Sequence, residues 1–509
     1  MSSAAPPEQF LARHGLERTP EWLTGYLPRQ RWFGGRDHGL SGVTVEDAAL
    51  LGEDRDGITV FFILVRVAYA RGPDELFHVP LALRERHQGV LENAGAETVI
   101  AEIARGAETL AVYDALVDPA AAYIFWELIA GSQTITTARG TIVCSGDRVE
   151  LGDHGADAVR PLGREQSNTS LVRGGHDLLK CMRRIELSPS LELEIQGALE
   201  GAGFTHLAAP VGVMQYRVDG RPPGLLAMVQ PYLHNGTEGW AMALTSLRDL
   251  YAVAEEEEHL DAETRRRVVD EQGASFVPEA ARLGEVTAEM HLALAAAGHS
   301  PEVMPEPVTA ATLSRWADEM AADAEALLGR EHPSLEPLRD RRDVLLERFV
   351  ALRGLRPAGL ATRIHGDYHL GQVLRTDEGW TVLDFEGEPA RPVSERRGRS
   401  SPLRDVAGML RSLDYAAAAA LSERTGPDDA RWSELTAQGD LWAAVNREAF
   451  WAAYLARVAG SQLLPSEDDA LVARRAFELQ KAIYEVGYEI GHRPDSVGIP
   501  LTFLLRETS

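Results

Sequence analysis

The sequence predicts an α+β protein built from two or three packed units, with strands mainly in its first half and helices in its second half. The chain has 509 residues, which is too many for one hydrophobic core. Runs of β-branched and aromatic residues mark the chain up to about residue 234, and helical periodicity dominates beyond it. We therefore expect an α/β subdomain at 1–112, a β-rich subdomain at 113–234 and a helical region at 235–509.

Composition and charge exclude several classes of partner. Apolar residues make up 45% of the chain, so a large core is available, and the net charge of -26 disfavours nucleic acid and anionic membranes. No long uncharged apolar run occurs, and residues 1–6 lack a signal-peptide pattern, which predicts a cytoplasmic protein. Cys144 and Cys181 form neither a disulfide framework nor a zinc motif. We expect a monomer or weak homodimer that acts on small molecules.

The first subdomain combines a short helix with several strands. The helix is expected near 20–23, and the clearest strand is 58–65. Residues 72–74, Gly-Pro-Asp, supply turn chemistry before the next strand. The phrase Arg-Trp-Phe-Gly-Gly at 31–35 is unusual and can be interpreted as a ligand loop. An Arg-Trp-Phe cluster is more often a packing anchor, and we favour packing.

The β-rich subdomain contains short apolar segments and one polar loop. The predicted strands are 141–144, 170–172 and 177–182. Residues 163–170 form a loop of small polar residues, and the amides and hydroxyls around Ser167 and Asn168 can face the phosphates of a nucleotide. The loop lacks the Gly-x-Gly-x-x-Gly pattern of protein kinases, so its interpretation depends on other residues.

Lys180 lies near the end of one of these apolar strands. A buried lysine without a counter-charge is costly, so Lys180 should meet either a carboxylate or phosphate groups. The next helical segment offers Glu192 and Glu194, which point in different directions, so only one of them can serve. The alternative is a lysine that extends its amine from a strand end into solvent.

The rest of the chain is predicted to be mainly helical. Residues 225–233 form the last apolar strand, which Pro231 ends because proline cannot continue a ladder. Helical segments follow at 280–297, with Gly298 as a stop signal, and near 310–331 and 334–353. His291 lies on or beside the apolar face of its helix and is interpreted as a packing histidine. The acidic run 255–258 is interpreted as a solvated helix face.

One stretch carries the residue types of a phosphoryl-transfer site. Asp367 follows His365 and Gly366 in a tight loop, Gln372 lies five residues later, and Asp384 and Glu386 follow a short apolar strand. Phosphoryl transfer needs a carboxylate to accept a proton and oxygen ligands to hold magnesium against a triphosphate. Taken alone, His-Gly-Asp is better interpreted as a polar turn between two elements, but its spacing to the later residues favours the chemical interpretation.

This ordering resembles the catalytic segments of protein kinases and, more closely, of aminoglycoside phosphotransferases. Phrases at 31–35, 165–170, 365–372, 387–392, 401–412 and 481–486 resemble bacterial maltokinases and actinobacterial glucosamine kinases. Gln372 stands where protein kinases and aminoglycoside phosphotransferases usually have asparagine. The resemblance implies a eukaryotic-protein-kinase-like bilobal fold: an N-terminal α/β cap subdomain, a β-rich intermediate subdomain that completes the N-lobe, and a helical C-lobe.

The resemblance also implies roles for individual residues. Asp367 would be the catalytic base, Gln372 and Asp384 would ligate Mg2+, and Glu386 would assist the metal or the substrate. The residues implied to bind ATP are Lys180, Ser167 and Asn168 at the phosphates and Met228, Val229 and Gln230 at the adenine. Of the two candidate partners of Lys180, the kinase analogy favours Glu194. Asp405 either contacts sugar hydroxyls or caps the helix that starts there, and both interpretations stay open.

The choice of sugar depends on the segment 434–454. An aminosugar is a cation at neutral pH, so its site should add a carboxylate that faces the ammonium. We expect Gln438, Trp442 and Glu448 to contribute to the sugar site, with Glu448 replacing the small residue usual in maltokinases; Glu448 can equally be a surface residue. The expected reaction is ATP- and magnesium-dependent phosphorylation of glucosamine to glucosamine 6-phosphate. The alternatives are a maltokinase that forms maltose 1-phosphate and a non-catalytic sensor of sugar or nucleotide.

Overall fold

The computed structural model describes residues 6–53, 57–86, 88, 91, 98–106, 108–152, 155–163, 168–256, 261–296, 303–388 and 391–509. The chain forms two compact units, the first comprising Met1–Ser190 and Ala208–His234 and the second Leu191–Leu207 and Asn235–Ser509. Residues 191–207, which the sequence placed in the β-rich subdomain, thus pack with the helical part of the chain. The predicted boundary between the first and second subdomains, near residue 112, stays a prediction.

The first unit contains most of the strands. Its helices are α1 (Pro7–Arg13), α2 (Thr19–Tyr26) and α3 (Pro119–Ala130). Its strands are β1 (Leu40–Glu53), β2 (Thr59–Tyr69), β3 (Glu75–His78), β4 (Leu81–Glu85), β5 (Val99–Arg105), β6 (Glu108–Asp114), β7 (Thr134–Thr136), β8 (Thr141–Ser145), β9 (Val159–Pro161), β10 (Asn168–Arg173), β11 (Asp177–Met182), β12 (Arg184–Ile185), β13 (Gly212–Arg217) and β14 (Gly224–Pro231).

These strands form two sheets. The first has the order β12-β3-β2-β4-β6-β5 with β1 paired to β2, and the second has the order β7-β8-β13-β14-β11-β10-β9. Every pair in both sheets is antiparallel. Strand β2 is almost wholly buried, which explains its continuous apolar run. Pro231 is the last residue of β14, as expected for a residue that cannot donate to a ladder.

The Arg-Trp-Phe phrase of the sequence is a packing anchor, as predicted. Trp32 and Phe33 are buried in the core of the first unit. The ring of Phe33 lies 5.3 Å from that of Phe77 on β3, and the guanidinium of Arg183 lies 4.6 Å from the ring centre of Trp32. Arg183 also pairs with the buried Asp114 at 2.8 Å, so the aromatic cluster holds a satisfied ion pair.

The second unit is mainly helical. Its helices are α4 (Leu191–Gly201), α5 (Gly239–Glu256), α6 (Ala262–Gln272), α7 (Val277–Ala296), α8 (Ala310–Leu328), α9 (Glu336–Arg339), α10 (Arg342–Val350), α11 (Val393–Arg396), α12 (Leu403–Arg424), α13 (Trp432–Val458), α14 (Glu467–His492) and α15 (Gly498–Glu507). Its short strands are β15 (Thr237–Glu238), β16 (Glu306–Pro307), β17 (Leu360–Ala361), β18 (Val373–Thr376) and β19 (Gly379–Val382).

The core of this unit supports the loop that carries Asp367. Helix α12 packs against α13 and α14, and α13 packs along α7. Tyr368, Leu370 and Phe385 belong to the same buried cluster as the faces of these helices. The apolar residues that flank the polar loop therefore fix its backbone to the core, while the polar residues between them stay partly accessible.

Several expectations fall on residues outside the described ranges. These are Ser167, part of the 163–170 loop, Glu257 and Glu258 of the acidic run, and Gly298. Within the described residues, none of the helices combines the length and the apolar character that a membrane-spanning segment requires.

Candidate active site

The loop around Asp367 is held by a network of buried hydrogen bonds. Gly366 has φ of +84°, a conformation that favours glycine. The backbone N–H of His365 donates to Asp405 Oδ2 at 2.8 Å, and that of Gly366 donates to Asp405 Oδ1 at 2.9 Å. The His365 ring donates from Nε2 to the carbonyl of Leu383 at 2.8 Å. One buried carboxylate and one imidazole thus set the backbone that presents Asp367.

Asp405 is itself held by a buried histidine. Its Oδ2 accepts from His291 Nε2 at 3.0 Å, and the other ring nitrogen of His291 accepts from the hydroxyl of Tyr454 at 3.0 Å. Burial alone would raise the pKa of Asp405, but the bonds from His291 and Gly366 lower it below its ordinary value. Asp405 is only 1% exposed and lies inside α12 instead of at its cap. The predicted helix cap is therefore wrong, whereas the predicted contact with sugar hydroxyls stays a prediction, because Asp405 lines the cavity beside Asp367.

Asp367 lies between two nitrogen groups at the edge of a cavity. Lys481 Nζ is 3.3 Å from its Oδ1, and His369 Nε2 is 3.8 Å from its Oδ2. Burial would raise the pKa of Asp367, but the contributions of His369 and Lys481 outweigh it and hold the pKa well below its ordinary value. The carboxylate is therefore ionised at neutral pH, as a group that accepts a hydroxyl proton must be before reaction.

A β-hairpin brings the predicted metal ligands together. Strands β18 and β19 pair in a register that sets Val373 opposite Val382, so Gln372 and Asp384 lie just beyond the paired residues. Gln372 Nε2 is 3.5 Å from Asp384 Oδ2. Asp384 has φ of +62°, an uncommon conformation for a residue with a side chain, and such strain is frequent at functional sites.

Two further carboxylates complete an oxygen-rich cluster. Ligand oxygens of Glu192, Asp384 and Glu386 lie within 4.8 Å of one another. Together with the amide oxygen that Gln372 can offer, this set consists only of oxygen donors, which suit Mg2+. These residues therefore fit the metal that the sequence predicted. From the sequence alone, Glu192 was predicted only as a possible partner of Lys180 and not as a metal ligand.

Glu194, the partner predicted for Lys180, forms ion pairs with two arginines. One of its carboxylate oxygens accepts from Arg363 at 2.8 Å and the other from Arg397 at 2.6 Å. Arg363 is buried and precedes the loop that carries Asp367, so Glu194 provides the opposite charge that the buried guanidinium needs. Both oxygens of Glu194 thus bind arginines of the second unit, and its pairing with Lys180 stays a prediction.

The cavity beside Asp367 has polar walls that the sequence did not assign. It is lined by Gly366, Asp367, Tyr368, Glu388, Arg391, Arg404, Asp405, Gly408, Phe477, Gln480, Lys481 and Tyr484. Lys481 Nζ lies 3.8 Å from Glu388 Oε2 and 4.9 Å from the ring centre of Tyr484. Burial and a hydrogen bond to Glu388 raise the pKa of Tyr484, so this phenol keeps its proton. The sequence signal for this wall was the phrase at 481–486, which includes Lys481 and Tyr484. A motif alone, however, does not indicate which face of its helix contacts Asp367.

The predicted sugar wall on α13 does not line this cavity. Gln438 and Trp442 are fully buried; Gln438 Nε2 donates to the carbonyl of Arg265 at 3.2 Å, and Trp442 Nε1 donates to Ser246 Oγ at 3.1 Å. Glu448, on the same helix, is exposed. The two buried residues have structural partners among α5 and α6, so their assignment to the sugar site is contradicted, and the surface interpretation of Glu448 is supported.

The predicted ATP-binding residues of the first unit lie on its second sheet. Lys180 on β11 is opposite Met228 on β14, and Asn168 lies at the start of β10 instead of in a loop. Strand β14 is flanked by β11 and β13, so Met228 and Val229 are already paired in the sheet. Their predicted backbone contacts with adenine stay a prediction. The Gln230 side chain donates to the carbonyl of Ala208 at 2.7 Å.

Family models match two parts of the chain. Residues 26–118 match the maltokinase N-terminal cap domain, and residues 241–435 match the phosphotransferase enzyme family. The glucosamine kinase of Streptacidiphilus jiangxiensis is 30% identical over 424 residues, which are 81% of this chain and 81% of the relative. The chain belongs to the glucosamine kinase family. A second glucosamine kinase, from Mycolicibacterium smegmatis, is 29% identical over 68% of this chain and 78% of its own length.

Solved structures of glucosamine kinases share the fold. A glucosamine kinase in complex with glucosamine, ADP and inorganic phosphate is 24% identical, covers 91% of this chain and 93% of its own, and has a TM-score of 0.62. A glucosamine kinase in its crystal form B is 23% identical, covers 95% of this chain and 98% of its own, and has a TM-score of 0.64. The α+β kinase-like fold predicted from the sequence is confirmed.

Proposed function

We propose that the protein is an ATP-dependent glucosamine kinase that forms glucosamine 6-phosphate. The observation that carries the proposal is that Asp367 lines a cavity with acidic and basic walls, while the candidate metal ligands Gln372 and Asp384 lie side by side at the end of the hairpin that follows its loop. In the reaction, a sugar hydroxyl oxygen forms a bond to the γ-phosphorus of ATP, and the bond from that phosphorus to the leaving ADP oxygen breaks. The hydroxyl proton passes to Asp367 and then to solvent.

The residues of the catalytic loop have distinct tasks. Asp367 accepts a hydrogen bond from the reacting hydroxyl and so aims one of its lone pairs at the phosphorus. Asp405 and His365 keep the loop backbone fixed while this occurs. Gln372, Asp384 and Glu386, with Glu192, are the residues that would hold Mg2+. When bound, this ion neutralises negative charge on the β- and γ-phosphates.

Glu388 is the candidate that recognises the ammonium of the sugar. Asp367 and Glu388 are two carboxylates that share Lys481 at 3.3 and 3.8 Å, which leaves one negative charge among these three groups. Of the other basic residues of the cavity, Arg391 lies 3.6 Å from Glu395, and the charge of Arg404, which donates to the neutral Gln480 at 2.9 Å, is offset by the carboxylate of Asp405 in the same cavity. A cationic sugar can therefore neutralise the remaining charge.

A sugar panel tests the function. ADP release should be measured with glucosamine, glucose and maltose at saturating ATP and magnesium, and the product of the preferred sugar identified by mass and by the position of its phosphate. We expect glucosamine to give the largest kcat/KM and a 6-phosphate. A preference for maltose with a 1-phosphate would instead identify a maltokinase, the second candidate, which the match of residues 26–118 to the maltokinase cap favours.

Replacing the ammonium-binding candidate should change sugar selectivity. In Glu388→Gln we expect KM for glucosamine to rise about tenfold or more, the expected effect of losing a charge-assisted hydrogen bond, while the affinity for glucose changes little. Steady-state kinetics with glucosamine and inhibition by glucose give both values. Glu448→Gln is the matched control, because Glu448 is exposed on α13. An unchanged KM in Glu388→Gln, or a rise in the control alone, would contradict the assignment.

A further inference from the structure

His369 lies two residues after the base and has both ring nitrogens in defined positions. Its Nδ1 accepts from the backbone N–H of Gly371 at 3.0 Å. An imidazole nitrogen that accepts a hydrogen bond carries no proton, so the ring proton of the neutral side chain is on Nε2. That nitrogen faces Asp367 Oδ2 at 3.8 Å. The Gly371 amide thereby fixes both the tautomer and the direction of the donor.

Gly371 also determines where the ring can lie. A Cβ atom at position 371 would be 2.8 Å from Cε1 and 3.0 Å from Nδ1 of His369. The imidazole therefore rests directly over the glycine backbone, at a distance that a side chain would not allow. The glycine and the histidine form one local arrangement, which aims Nε2–H toward the base.

The two oxygens of Asp367 have different partners. Oδ1 faces the ammonium of Lys481, which is carried on a flexible stem from α14, whereas Oδ2 faces the imidazole, which is fixed from the same loop. Lys481 alone would let the carboxylate turn about its Cβ–Cγ bond. A second donor on the other oxygen restricts that rotation, and catalytic hydrogen bonds that are long in the unliganded state tighten when substrate binds.

We propose that His369 is a positioning residue for the reaction, whose Nε2–H holds Asp367 in the orientation that accepts the sugar hydroxyl. The inference rests on the proposed function, because it assigns a role beside the same base. His369 touches neither sugar nor phosphate in this role and acts through Asp367. It therefore affects the rate of phosphoryl transfer more than the affinity for either substrate.

Two isosteric substitutions separate the nitrogens of the ring. In His369→Asn the amide oxygen occupies the place of Nδ1 and can still accept from Gly371, but the Nε2 donor is lost. In His369→Gln the amide nitrogen occupies the place of Nε2, so the donor to Asp367 is kept and the bond to Gly371 is lost. We expect kcat to fall about 10- to 100-fold in His369→Asn and only a few-fold in His369→Gln, with both KM values nearly unchanged.

A purely structural role for His369 predicts the opposite order. In that case the asparagine variant, which keeps the cap of the turn, would match the wild type, and the glutamine variant would be impaired. That order, equal losses in both variants, or wild-type kcat in His369→Asn would overturn the proposal. Thermal unfolding of each variant shows whether it is folded.

A glycine substitution provides an independent variant. Gly371→Ala displaces the ring without removing any functional group, and we expect it to lower kcat as His369→Asn does. Gly354→Ala is the matched control, because a Cβ at that position meets nothing within 4 Å. Normal kcat in Gly371→Ala would also overturn the proposal. If the wild type releases no ADP with glucosamine, the proposed function fails independently of the role of His369. The kcat values of the same variants are then compared with water as the acceptor of the phosphoryl group, and the same order is expected.

Discussion

Replacing Asp367 by asparagine should abolish sugar phosphorylation while leaving ATP binding largely intact. The variant keeps the shape of the side chain but cannot accept the hydroxyl proton, and loss of a positioned base lowers rates by about 10²- to 10⁴-fold. Its amide can still contact Lys481, so the loop should stay folded. ADP release gives kcat, and calorimetric titration with a non-hydrolysable ATP analogue gives the affinity for nucleotide.

The control for this experiment is an exposed acid of the same unit that does not line the cavity beside Asp367. Asp343 on α10 has a side chain that is 87% exposed, so Asp343→Asn should leave kcat unchanged. A near-normal turnover in Asp367→Asn would remove the assignment of Asp367 as base. Loss of ATP binding in that variant would show instead that the residue acts on the nucleotide.

Asp405→Ala should both destabilise the protein and inactivate it. The substitution leaves the amides of His365 and Gly366 without their acceptor. It also removes the carboxylate oxygen to which the buried His291 ring donates. Removing one partner from such a buried charged network costs about 3–5 kcal/mol of unfolding free energy. The loop that presents Asp367 also loses its anchor, so we expect kcat to fall by about 100-fold or more. Denaturant unfolding and ADP release measure the two effects.

A graded series separates anchoring from general damage. Tyr454→Phe removes only the hydroxyl that donates to His291 and should cost about 1 kcal/mol, with a smaller loss of kcat. Asp405→Asn keeps one acceptor oxygen, so its losses of stability and of kcat should lie between those of Tyr454→Phe and Asp405→Ala. Wild-type activity in a folded Asp405→Ala variant would contradict the anchoring role, and a loss in Asp343→Ala comparable to that in Asp405→Ala would show that the effect is not specific to the loop.

The sequence by itself was enough to predict which residues lie together when those residues are close to one another in the chain. Asp367, Gln372 and Asp384 lie within 18 residues, and a two-stranded hairpin between the last two is enough to set them side by side. The apolar anchors around Trp32 and the strand ended by Pro231 follow from side-chain chemistry that needs no distant partner. These features were predicted because their geometry is fixed by bond lengths, strand pairing and turn conformation.

Only the tertiary structure decided which face of each helix meets the site. Periodicity shows that α13 has a buried face, but it cannot distinguish a face in the core from one beside a cavity, and Gln438 and Trp442 turned out to lie in the core. Glu192 and Glu194 are two positions apart, yet packing directs the first toward Asp384 and the second toward two arginines. Lys481 reaches Asp367 from 114 residues away. Such contacts depend on how whole helices pack against one another. That packing results from many small burial contributions spread over the chain, so it cannot be inferred from a short segment.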